Sequence, residues 1–226
     1  GQSEPVAMST GGTTKWDSVT PIGGSGYCGR GVANLAGTIF GRKNFEGNAY
    51  SLGFNTAAQL TTESGRASNI FTNSGFYHGG QPISKDRLTP EFLASLPPGT
   101  IVANAGGGLS SSGAMNAGHV QMKVGGSWMS DHKQSHFLFG ANRENGEYSN
   151  FTIFYPTDKA TSYLQQSGYL TQEGAATASA TVTSAYTTRP GEAPEPPPPP
   201  PPEPASAYVI PMKDGELENN PYQTPS

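Results

Sequence analysis

Cysteine is almost absent from this chain of 226 residues: there is one, Cys28. A single thiol closes no internal disulfide and builds no multi-cysteine zinc site, which excludes a disulfide-stapled secreted scaffold. Charge is scarce as well, at 13% of residues. It is also unevenly placed. Through Tyr186 the chain has 11 Lys and Arg against 11 Asp and Glu; from Thr187 on it has two against six, so the tail carries the whole formal charge of −4. No basic stripe is present to neutralise phosphates, which argues against a nucleic-acid partner. No apolar run approaches the ~20 residues of a membrane-spanning helix, and no basic-then-apolar signal peptide opens the chain. No group of His, Asp and Glu has metal-ligand spacing, so neither a metal nor a cofactor is expected.

What is abundant is glycine and proline, 30 and 20 residues, with only 34% hydrophobic residues. That composition suits a loop-rich domain with a biased appendage. Residues 1–23 read as an extended lead-in. A body follows over 24–165, and 166–226 read as linker, polyproline rod and docking tail. Within the body, a helix is predicted from Cys28 to about Phe40 and a second over about Ala49–Leu60. Thr89-Pro90-Glu91-Phe92-Leu93 is a short helix with Thr89 as N-cap and Pro90 at its first position. Strands are predicted at Ile101–Ala103, Val120–Val124, Trp128–Ser130 and Phe151–Tyr155, with Gly125-Gly126 as a hairpin turn. Helices first and an antiparallel run afterwards give an α+β class. Ala175–Tyr186, small and β-branched, reads as weakly strand-like. Gly106–Gly108 and Ser110–Ser112 lack the lysine and helix of a phosphate loop and read as the rim of a groove.

Chemistry concentrates around Cys28, in Gly26-Tyr27-Cys28-Gly29-Arg30-Gly31. Val32, Leu35, Ala36 and Ile39 follow at the spacing of one helix face, so the cysteine falls at a helix start. Unpaired N–H groups there favour a thiolate and lower the thiol pKa. Flanking glycines leave a substrate room to approach. His119, in Gly118-His119-Val120, starts a strand and suits a general base. Asp131 lies 12 residues later, one strand and one turn on, within cross-strand reach of His119 and able to orient its imidazole. His132 and Gln134 compete for that role, because strand faces alternate and register is not fixed by inspection.

Four segments in order resemble the papain-like peptidoglycan hydrolases, the group of NlpC-type endopeptidases, CHAP amidases and secreted amidase effectors. They are Tyr27-Cys28 opening a helix, the Ser74-Gly75-Phe76 turn, Leu96-Pro97-Pro98-Gly99-Thr100-Ile101-Val102, and Gly118-His119-Val120 followed by Gly126-Ser127-Trp128-Met129-Ser130-Asp131-His132-Lys133-Gln134. Together they span about residues 24–155. Thr100 stands where the family usually has Asp, and the tail from about Thr161 has no counterpart. The resemblance implies a papain-like fold with N-terminal helices on an antiparallel sheet. It also implies an amide-cleaving cysteine hydrolase acting on peptidoglycan, with catalytic Cys28, His119 and Asp131 and no cofactor.

The tail points to assembly. Seven consecutive prolines, Pro196–Pro202, favour a stiff polyproline II rod, and Tyr208-Val209-Ile210-Pro211-Met212 is an apolar plug beyond it. Such a segment suits docking onto a protein partner through residues 187–226. Delivery by a phage particle or secretion system, with action in the bacterial periplasm or cell wall, would fit a chain without a signal peptide. A virion or secretion-assembly protein that keeps the hydrolase body for structural use is the alternative expectation.

Overall fold

The computed structural model describes residues 14–21, 28–45, 57, 69–104, 118–139 and 151–187. The chain divides into two units, Gly1–Glu195 and Pro196–Ser226, and all the described residues belong to the first. The predicted helix over 49–60, apart from a buried Ala57, lies outside the described residues, as do the loop at 105–117 and the proline run with its apolar plug.

Five strands, β1 (Gln81–Ile83), β2 (Ile101–Asn104), β3 (His119–Val124), β4 (Ser127–Met129) and β5 (Phe151–Phe154), form one sheet in the order β1-β5-β2-β3-β4. Every pairing is antiparallel. Around it stand α1 (Cys28–Phe40), α2 (Asn69–Asn73), α3 (Pro90–Ser95), α4 (Asp158–Gln166) and α5 (Gln172–Thr187). The class is α+β, with an antiparallel five-stranded sheet.

Alternation along the strands divides the core in two. Ile101, Ala103, Val120, Met122, Val124 and Phe154 face the apolar side of α1, namely Val32, Leu35, Ala36 and Ile39. Val102, Trp128, Phe151 and Ile153 face the other way, onto Leu93, Leu96 and Val182. Pro82 sits in β1, an edge strand, where a missing N–H costs no ladder bond. The β3–β4 hairpin closes through Gly125-Gly126, with Met122 opposite Met129 and Val124 opposite Ser127. Gly125 is left-handed, φ 61°, and a Cβ there would lie 2.9 Å from Trp16 Cβ, so only glycine fits beneath that ring. Thr89 caps α3 as expected, its hydroxyl accepting from the Phe92 amide at 3.2 Å.

The other end of α3 is capped from the sheet. Lys123 points away from α1 and is buried, and its Nζ donates to the carbonyls of Leu93, Ala94 and Leu96 at 2.9, 2.8 and 2.7 Å. Those are carbonyls at the C-terminal end of α3, where a cation is favoured. Burial pulls the Lys123 pKa down to about 8.

Two boundaries differ from the expectation. The lead-in over 1–23 is not wholly extended: Thr14–Ser18 is a 3-10 turn, and Trp16 and Val19 are buried in the α1-side core. Nor does the body end at residue 165. Residues 172–187, expected as extended linker with a strand-like stretch at 175–186, form the 16-residue helix α5. Its buried face consists of Gly174, Ala175, Ala178 and Val182, residues too small to leave a strong periodic signal. Because α5 packs on the body, Val182→Ala should destabilise the fold by about 2 kcal/mol, the loss of two buried carbons. Urea unfolding followed by circular dichroism reads this directly; an unchanged midpoint would mean that α5 is only an appendage.

Candidate active site

Cys28 is the first residue of α1 and is partly buried against the α1-side core. The amides of Val120 on β3 and of Cys28 and Gly29 at the helix start lie near enough to the sulfur to favour its thiolate. The thiol therefore meets β3 at the peptide that joins His119 to Val120. His119 opens β3 as expected. Its ring shares a face with Gln121 and Lys123, opposite the face that receives α1. Thiol and imidazole thus reach the start of one strand from its two faces.

What orients the imidazole is Gln134. His119 Nε2 lies 2.9 Å from Gln134 Oε1. Gln134 Nε2 in turn donates to Gln121 Oε1 at 2.7 Å and to the carbonyl of His136 at 3.3 Å. The main-chain amide of His119 donates to Asn104 Oδ1 at 2.9 Å, and Asn104 Nδ2 reaches the Phe139 carbonyl at 3.3 Å. His119, Gln134, Gln121 and Asn104 make one polar island on that face, and the last three are buried.

Asp131, the residue expected to orient His119, is placed otherwise. The physical reason is the length of β4. The strand ends at Met129, and the chain folds back at once: Ser130 N–H donates to the His132 carbonyl at 3.0 Å, Met129 bridges to Lys133, and Gln134 N–H donates to the Trp128 carbonyl at 3.0 Å. The fold-back carries Gln134 beneath His119 and turns Asp131 towards α1. There the backbone of Ser130 and Asp131 touches the helix at Gly31, where an added Cβ would lie 2.5 Å from Asp131 Cα. The Asp131 carboxylate accepts from Ser130 Oγ at 3.0 Å and pairs with His132 Nδ1 at 3.1 Å. Its side chain is 8% exposed against 58% for His132. A charge so nearly buried acts at a distance, and it acts on both partners of the site.

The electrostatics run against a pre-formed ion pair. The helix start and the Val120 amide do lower the Cys28 pKa, as the sequence reading expects. Burial outweighs them, the Asp131 carboxylate adds to it, and the thiol is pushed above its usual value. His119 is pushed below its usual value, first by burial and also by nearby His132; its bond to Gln134 and the Asp131 charge only partly oppose this. At neutral pH the resting pair is a thiol and an uncharged imidazole.

Gln121 and Asn104 do not stand out in the sequence. The available signal was parity: Gln121 is two residues beyond His119 and shares its face, and a buried glutamine there demands polar partners. Among the described residues no group of His, Cys, Asp and Glu is arranged to hold a metal ion, and no helix is long and apolar enough to cross a membrane. Comparison with protein-family models, curated proteins and solved structures finds no match to this chain.

These charges set the reactivity of the thiol. Alkylation of Cys28 by iodoacetamide should be slow at pH 7 and should rise with pH through a midpoint above that of an ordinary thiol, because the thiolate is the reacting form. Asp131→Asn removes a charge that opposes the thiolate and should speed alkylation at pH 8. An identical pH–rate curve for the variant would show that Asp131 does not act on the sulfur.

Proposed function

We propose that the protein is a cysteine hydrolase that cleaves an amide bond in peptidoglycan, in the stem peptide or at the sugar–peptide junction. Cys28 is the nucleophile, His119 the base and Gln134 the residue that orients it. The observation that carries the reading is the convergence at the start of β3: a thiol at a helix start lies beside Val120, the residue after a histidine whose Nε2 is held by a buried amide.

The chemistry follows from those groups. With Nε2–H donating to Gln134, Nδ1 carries the lone pair and takes the proton of the thiol. The sulfur then bonds the amide carbon, and the oxyanion draws on the amides at the start of α1. His119 returns the proton to the departing amine as the C–N bond breaks. Water, deprotonated by the same nitrogen, releases the acid and restores the thiol. Because the resting pair is uncharged, proton transfer belongs to the attack itself; the sulfur and the imidazole reach β3 from opposite faces, so the step requires Nδ1 and the sulfur to meet past the end of the strand, which His119 opens. Asp131, the third member expected from the sequence, tunes both groups through its charge.

The peptidoglycan substrate rests on the family resemblance of the four ordered segments. Delivery by a phage particle or secretion system, and docking on a protein partner through residues 187–226, rest on the proline run and the acidic tail. A second reading is favoured by the burial of the thiol, which raises its pKa: a structural or interaction protein of such an assembly, with an idle site.

Purified sacculi separate the two. The wild-type protein should release soluble fragments with new amino termini or free stem peptides. Cys28→Ala should release none, and His119→Ala should slow release roughly 10²–10⁴-fold. A wild-type protein that releases nothing at any pH from 6 to 9, while remaining folded, would leave the structural reading. Deletion of 188–226, which spares α5, should leave cleavage of a soluble muropeptide unchanged and remove binding to the partner. Loss of cleavage in that variant, with circular dichroism unchanged, would place the tail in the catalytic unit.

A further inference from the structure

We infer that Gln121 is a positioning residue that fixes which ring nitrogen of His119 carries the proton, an inference whose catalytic consequence rests on the hydrolase reading but whose geometry does not. A side-chain amide can be turned end for end, and an imidazole can carry its hydrogen on either nitrogen. A main chain has no such freedom. Leu138 offers Gln121 both its N–H and its carbonyl: the N–H donates to Gln121 Oε1 at 2.9 Å, and Gln121 Nε2 donates to the Leu138 carbonyl at 2.6 Å. Turning the Gln121 amide over would set two donors against each other and two oxygens against each other. Its orientation is therefore dictated by the Leu138 backbone.

The rest follows by complementarity. Gln121 Oε1 has a second lone pair, and it accepts from Gln134 Nε2 at 2.7 Å. The carbonyl of His136, 3.3 Å away, faces the same NH₂ group and demands the same orientation. Gln134 must then present its oxygen to His119, 2.9 Å from Nε2. An amide oxygen has no hydrogen to give, so Nε2 carries the proton and Nδ1 the lone pair. The information passes from the Leu138 peptide through two buried amides, 1% and 6% exposed, to the imidazole. Water does not readily replace a member of so closed a chain. A base held in the wrong tautomer costs on the order of 10⁴ in rate in a catalytic triad, so the relay bears on kcat rather than on substrate binding.

The test uses the full chain with ¹⁵N-labelled histidine and long-range ¹H–¹⁵N correlation spectra at pH 7.5, assigned with His119→Ala. The wild type should show His119 as the Nε2–H tautomer. In Gln121→Met, only the longer His136 bond still steers Gln134, so the His119 signals should move to a tautomer mixture. With a soluble muropeptide, that variant should lose about 10-fold or more in kcat with KM little changed. A wild-type Nδ1–H tautomer overturns the inference, whether or not the variant folds. So does a folded Gln121→Met protein whose His119 signals match the wild type. If the wild-type protein cleaves nothing but shows Nε2–H, and Gln121→Met disturbs it, the hydrolase reading fails and the relay stands.

Discussion

The first turn of α1 rests on the main chain of Ser130 and Asp131, with no side chain between them at Gly31. Everything at the site depends on that approach. It brings the amino end of the helix to the start of β3, where Cys28 meets the Val120 amide. It also holds the fold-back after β4, which delivers Gln134 to His119 on the opposite face of the sheet. A methyl group at position 31 would separate the two halves of the site before it touched either reacting atom. The glycines around Cys28 thus serve docking of the helix as well as access to the sulfur.

Burial is the second constraint, and it works against readiness. Donors at a helix start favour a thiolate, but only where the sulfur is partly hydrated or paired with a cation. Here the sulfur is packed against apolar residues, the nearby charge is negative, and the imidazole is uncharged. The balance moves to the neutral pair. Under the hydrolase proposal, such an arrangement would keep the thiol quiet until a substrate aligned the base. Low reactivity of the free protein is compatible with activity, since catalysis depends on the pKa values within the complex.

Local signals in the sequence were sufficient where local physics decides. The Thr89 cap, the proline at the start of α3, the Gly125-Gly126 turn and the helix opened by Cys28 each need only a few neighbouring residues, and each is where the pattern puts it. His119 at the start of β3 is of the same kind. Which of Asp131, His132 and Gln134 orients the imidazole was not legible, because the answer depends on where β4 stops. A strand continued through Asp131 would set that residue beside His119; a strand of three residues followed by a fold-back sets Gln134 there instead. α4 had a readable start in Thr157, whose hydroxyl accepts from the Ala160 amide at 3.3 Å, but its apolar face is thin. α5 hid for a related reason, its contact face being made of glycine, alanine and one valine. The peptidoglycan substrate belongs to the resemblance alone, since no feature of the described fold selects one amide over another.

The composition of α5 has a kinetic consequence. Thr181, Thr183 and Thr187 turn their hydroxyls back to the carbonyls of Thr177, Ser179 and Thr183, one turn earlier. Such bonds compete with the helix ladder, and threonine and serine are weak helix formers. The helix exists because the body holds Ala175, Ala178 and Val182, not because its own chain prefers to coil. A segment of that kind joins a folding domain late and leaves it early. Its amides should exchange with solvent through a local opening far cheaper than global unfolding, while β2, β3 and β5 remain closed. The last turns of the body are thus a yielding stretch of chain at the edge of the rigid sheet, able to open without disturbing Cys28.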